Sequence, residues 1–250
     1  MSDTENSHRS RGIYLLPNLF TTGVLFGGFF AVLSAVDGGF EKAAIAIFVA
    51  MVLDGLDGRV ARLTHTQTAF GGEYDSLSDM VAFGLAPGLV MYLWALQGLG
   101  KLGWLAAFIY VASAALRLAR FNTQSGSVDK RYFQGLPSPS AAAIVAAGVW
   151  IGVDHQLDPG GLAPVAAVIT ALAGLAMVTN FRYHSFKEVD LRGRVPFIVL
   201  VAIAVVLALV LSEPPLVLFL LFFGYALSGP VMTLVGLRQR RLKRRRGRSA

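Results

Sequence analysis

Apolar runs follow one another from Leu16 to Leu237 with only short polar breaks, and most are long enough to cross a hydrocarbon layer of ~30 Å. That recurrence leaves few possible folds. Lipid cannot satisfy exposed backbone groups, so spanning segments must be helices or a closed barrel. The alternating pattern of barrel strands is absent, which leaves helices. Eight spans are expected: 16–36, 40–56, 77–96, 102–118, 140–153, 162–178, 195–211 and 216–237. With 55% hydrophobic and 15% charged residues, the chain is far poorer in charge than a soluble domain, which has about a quarter. The expectation is an all-α integral membrane protein with one membrane domain, residues 16–237, between a polar segment 1–15 and a basic tail 238–250.

Charge sets the expected orientation. With the N-terminus inside, segments 1–15, 57–76, 117–139, 179–194 and 238–250 hold all Lys and Arg residues but Lys42 and Lys101. That bias matches the positive-inside rule and places both termini in the cytoplasm. The polar opening MSDTENSHRSRG lacks the layout of a cleavable signal, so the first apolar run reads as a retained span. The tail LRQRRLKRRRGRSA supplies much of the net charge of +7. Beside a last span it reads as a topology signal touching anionic headgroups, with no nucleic-acid role expected. With no cysteine, disulfides and thiolate chemistry are excluded.

Against this background LDGLDGRVARLTHTQTAFGGEYDSLSD, residues 53–79, stands out. Asp54 and Asp57 close the second span, and Asp75 and Asp79 open the third. Residues three or four apart share a helix face, so each pair can point into one space between neighbouring helices. Two carboxylates ~4 Å apart at an effective dielectric near 20 repel by roughly 4 kcal/mol, so protons or a cation must compensate. Oxygen-only ligands suit the hard ions Mg²⁺ and Mn²⁺. Small residues Gly58 and Ala61 allow a ligand to approach the backbone, Arg62 brings a permanent positive charge, and Gly71-Gly72 are expected to break the helix before the second pair. Solvated acids at helix ends are the plain alternative, but intramembrane acids are functional by default.

The pattern Asp54-x-x-Asp57-Gly58-x-x-Ala61-Arg62, eight residues, Gly71-x-x-x-Asp75-x-x-x-Asp79 resembles the signature of the CDP-alcohol phosphotransferases at every fixed position. The resemblance implies that bundle fold and divalent metal, Mg²⁺ or Mn²⁺ and two ions, on Asp54, Asp57 and Asp75. Asp79 would be the base, counted also among the candidate metal ligands. It further implies CDP against Gly58, Ala61, Arg62 and Gly71, and a homodimer.

Four other stretches bear on the acceptor: LPNLFT (16–21), RLARFN (117–122), FQGLPSPSAA (133–142) and NFRYHSFKEVDLR (180–192). Together they resemble the branch of that family in bacteria and archaea that uses serine. This implies phosphatidyl transfer from CDP-diacylglycerol to L-serine at the cytoplasmic face of the cell membrane. Asn18 and Thr21 are candidates for CDP contact or, equally, for capping and packing. Arg117 and Arg120 are spaced to share a helix face, and a guanidinium fork can hold the serine carboxylate; Arg120, beside Asn122, is the favoured one. Lys130, Arg131, Arg182 and Lys187 could reach lipid phosphates or be topology signals. Glycerol 3-phosphate or inositol phosphate as acceptor, and a cation transporter using the acids as its pathway, are the competing readings.

Overall fold

The computed structural model describes residues 3–64, 68–124, 132–184 and 197–246. Helix α1 spans Asp3–Val36 and α2 spans Phe40–Thr64. Next comes a rod made of α3 (Ala69–Asp79), a π-helical turn (Met80–Leu85) and α4 (Ala86–Trp94). The rest are α5 (Lys101–Gln124), α6 (Ser138–Asp154), α7 (Pro159–Val178), α8 (Phe197–Ser212) and α9 (Pro214–Arg246). Eight rods result among the described residues, as the apolar runs require. Five are long and apolar enough to cross a membrane, α6 and α8 are shorter, and α2 carries the first acidic pair.

The bundle is built around α6, where every residue from Ser140 to Ala147 is buried. Its SPSAAAIVAAG sequence is small on all sides, so neighbours pack closely all round it. Helix α1 lies along α2, α5 along α7, and α6 between α2 and α9. Gly28 is where α1 meets the π turn: a Cβ there would stand 2.6 Å from the Cα of Ala82. The outside is the reverse of a soluble surface, with Phe26, Phe29, Leu33, Phe108, Val168 and Leu207 among its exposed apolar side chains. Helix α8 is exposed along 198–209 and apolar all round, which suits lipid. The chain is a multi-pass membrane protein.

Two details depart from the sequence expectation. Gly71-Gly72 do not break a helix: α3 begins at Ala69, and the Thr68 side chain caps it by accepting from the Gly71 N–H at 2.9 Å. The break lies upstream, and all four aspartates are helical. The fold also contains a small ribbon, β1 (Tyr132–Gln134) antiparallel to β2 (Arg182–His184), with Phe133 opposite Tyr183. It joins the α5–α6 connection to the segment after α7, so backbone groups that neither helix can satisfy pair with each other.

Candidate active site

Three of the four aspartates converge. Asp54 and Asp57 project from α2 and Asp75 from α3, each offering a carboxylate oxygen within 4.8 Å of the others. At an effective dielectric near 20, each such pair repels by roughly 3–4 kcal/mol. Either protons or a cation must therefore compensate where the three carboxylates meet. Asp57, the buried member, accepts a 2.9 Å hydrogen bond from the Thr21 hydroxyl of α1. Three hard oxygen donors converging in this way fit a divalent cation such as Mg²⁺ or Mn²⁺.

Asp79 stands outside that trio. It lies one turn further along α3, within the electrostatic reach of Asp54, Asp75 and Arg117. Its Oδ1 is buried and has no hydrogen-bond partner among the described residues. A buried, uncommitted carboxylate oxygen beside a cation site is free to take a proton from something that enters.

The two arginines of α5 divide. The Arg117 guanidinium donates to the Ser138 hydroxyl at 2.8 Å and lies within electrostatic reach of Asp79, while its Nε is buried with no partner among the described residues. Arg120, the candidate favoured by the sequence, turns away from the acids. Its Nη1 donates to the Val178 carbonyl at 3.4 Å and to the Asn180 side chain at 3.2 Å. A cation on the last carbonyls of α7 is a helix C-cap, and of the two arginines Arg117 is the one in electrostatic reach of Asp79.

Other candidates fall around the same mouth. Asn18 lies mid-helix, its Oδ1 3.6 Å from where a Cβ of Gly71 would be. Neither it nor Thr21 caps α1, since both lie mid-helix, so of the alternative to CDP contact only packing is left. The Asn122 Oδ1 accepts from the Ser76 hydroxyl at 3.1 Å, tying α5 to α3 between the two acids. Gly58 is partly exposed beside Asp57. Ala61, Arg62 and Arg182 lie on described backbone, but their side chains are outside the described residues, as are Lys130, Arg131 and Lys187 altogether.

Sequence reasoning missed three contributors. Tyr74, in the motif's second half, shares a 2.9 Å hydrogen bond with the Thr22 hydroxyl. Ser138 anchors Arg117, and Tyr110 supports the turn after Asp79 with a 2.8 Å bond to the Phe83 carbonyl. A tyrosine in the middle of an apolar span was the readable signal for the last, because its hydroxyl must find a partner.

Comparison with known proteins places these residues in context. Residues 14–179 match the family model described as CDP-alcohol phosphatidyltransferase. A CDP-diacylglycerol–serine O-phosphatidyltransferase of Helicobacter pylori is 37% identical, with 78% of this chain and 82% of the relative covered. One of that name from Methanocaldococcus jannaschii is 32% identical, covering 76% of this chain and 83% of the relative. An archaetidylserine synthase of Methanothermobacter thermautotrophicus is 31% identical over 71% of this chain and 73% of its own.

Proposed function

Because the chain belongs to the CDP-alcohol phosphatidyltransferase family, we propose that it transfers the phosphatidyl group of CDP-diacylglycerol to L-serine, giving phosphatidylserine and CMP. The observation that carries the reading is the carboxylate trio of Asp54, Asp57 and Asp75 with Asp79 beside it and outside it. Serine is supported by the relatives, whose names share that headgroup while the lipid differs between them.

Asp54, Asp57 and Asp75 would hold two divalent ions, Mg²⁺ or Mn²⁺. When bound, such ions supply charge neutralisation for the pyrophosphate and the departing CMP. Asp79 accepts the serine hydroxyl proton as the serine oxygen bonds to the phosphatidyl phosphorus. The bond from phosphorus to the CMP oxygen breaks, and its electron pair leaves with CMP. A positioned base of this kind contributes ~10²–10⁴-fold. Arg117 is the group best placed for the serine carboxylate, since its Nε is uncommitted. Gly58, Gly71 and Asn18 line the CDP side, to which the resemblance also assigns Ala61 and Arg62. The positive-inside distribution supports a mouth at the cytoplasmic face of the cell membrane, where CDP and serine would arrive from water while acyl chains stay in lipid. A homodimer, implied by the resemblance, belongs to the same reading.

The test is CMP release by purified protein with CDP-diacylglycerol, Mn²⁺ or Mg²⁺ and separate alcohols. Release with serine alone supports the reading. Release with glycerol 3-phosphate or inositol phosphate instead would keep the family and sink the acceptor; none with any alcohol would return attention to cation transport.

A further inference from the structure

Pro87 has no backbone N–H, so the carbonyl four residues earlier, that of Phe83, has no α-helical partner. The rod around it is a π turn, Met80–Leu85, in which the Ala86 N–H reaches back to the Val81 carbonyl. The Phe83 carbonyl accepts from the Tyr110 hydroxyl at 2.8 Å, from a fully buried side chain on α5. The same arrangement occurs a second time. Pro230 deprives Ala226 of its partner within α9, and the Tyr183 hydroxyl donates to that carbonyl at 3.1 Å. Burial pushes the Tyr183 phenol up to about 12, so it remains a donor at any working pH. That second pair lies on the ribbon and α9, which contribute none of the four aspartates.

The first pair sits directly behind one of them. Asp79 is the residue immediately before the π turn. One extra residue in a turn changes which face the flanking side chains present, and such turns cluster at functional sites. The turn is clamped on both sides. Gly28 of α1 stands against Ala82, and a Cβ on Gly84 would lie 3.2 Å from that of Ala114 on α5. A Cβ on Gly88 would lie 2.8 Å from Val111 Cγ2, so α5 approaches closely enough for Tyr110 to reach across. Tyr110 and Arg117 are seven residues apart, on one face of α5. That face meets Asp79 through charge at one level and holds its turn at the other.

We propose that Tyr110 is a positioning residue for Asp79: by holding the Phe83 carbonyl it fixes the π turn, and with it the direction of the Asp79 carboxylate. The proposal rests on the reading of Asp79 as the base. Tyr110→Phe removes only the hydroxyl, and Tyr183→Phe removes a hydroxyl with the same backbone role elsewhere, which makes it the control. We expect kcat for CMP release to fall about ten- to hundredfold in Tyr110→Phe, the scale of a misplaced catalytic group. The KM for serine and the affinity for CDP-diacylglycerol should be unchanged. Amide hydrogen exchange across residues 80–88 should quicken in Tyr110→Phe alone, Tyr183→Phe should keep the wild-type kcat, and adding Tyr110→Phe to Asp79→Asn should cost nothing further. Wild-type kcat and exchange in Tyr110→Phe, or an equal loss in Tyr183→Phe, overturns the positioning role and leaves the functional reading standing. A wild type that releases no CMP with any alcohol overturns both.

Discussion

The Thr21 hydroxyl donates to the Asp57 carboxylate at 2.9 Å, joining the first helix to the one buried member of the acidic trio. A donor to a ligating carboxylate fixes which oxygen faces the ion and which is already spoken for. Thr21→Val keeps the shape and removes the donor. We expect the Mn²⁺ concentration for half-maximal CMP release to rise about 10–100-fold, the usual scale for such supporting partners, with turnover largely recovered at saturating metal. An unchanged half-saturation point would show that Thr21 packs against Asp57 without orienting it.

The separation of Asp79 from the trio predicts two kinds of failure among the aspartate variants. Asp57→Asn should lose Mn²⁺ binding, read directly by electron paramagnetic resonance of the free ion, and lose activity with it. Asp79→Asn should retain bound Mn²⁺ and lose turnover by ~10²–10⁴-fold. A chelator should silence the wild type, and either Mg²⁺ or Mn²⁺ should restore it. Loss of Mn²⁺ from Asp79→Asn would move that residue into the metal shell.

Arg117 and Arg120 should respond differently to the same substitution. Arg117→Lys removes the guanidinium that donates to Ser138 while keeping a cation near Asp79. We expect turnover to fall at least about tenfold, consistent with one charge-assisted hydrogen bond of about 1.5–3 kcal/mol. Arg120→Lys keeps the cation at the end of α7, worth about 0.3–1 kcal/mol there, and should leave stability close to wild type and activity retained. Turnover and thermal melting in detergent, measured on both, separate the two. Equal losses of activity would return Arg120 to the site.

Gly28→Ala tests how tightly the π turn is held. Alanine gains about 1 kcal/mol of helix propensity over glycine, but overpacking costs about 1–3 kcal/mol, and the added Cβ would stand 2.6 Å from Ala82. The clash should win and the melting temperature fall. Gly224→Ala in α9 meets nothing within 4 Å and should hold or raise it.

The helical spans, the acidic pairs and their convergence were legible in the sequence because each follows from a period: ~20 apolar residues for a span, three or four residues for a helix face. The contacts of Arg120 were not, because its partners, Val178 and Asn180, lie at and just past the end of another rod some sixty residues away. The glycine pair misled for a related reason. Gly71-Gly72 read as a breaker, yet Thr68 just upstream supplies the cap that starts the helix. The π turn could have been suspected from Pro87, but its tyrosine could be identified only once α5 was laid against it.

The two proline–tyrosine pairs also bear on how the chain is assembled. Each leaves one rod with a carbonyl that only another part of the chain completes, and an unsatisfied carbonyl in lipid costs several kcal/mol. Tyr110 is synthesised after Phe83, so the rod that carries Asp79 enters the bilayer without this hydrogen bond and gains it only when α5 docks. Tyr183 is made before Ala226, so α9 finds its donor already waiting. Biogenesis of the Asp79-bearing rod is thereby coupled to arrival of the next helix, and a chain stalled before residue 110 would present an exposed polar backbone group for the insertion machinery to hold.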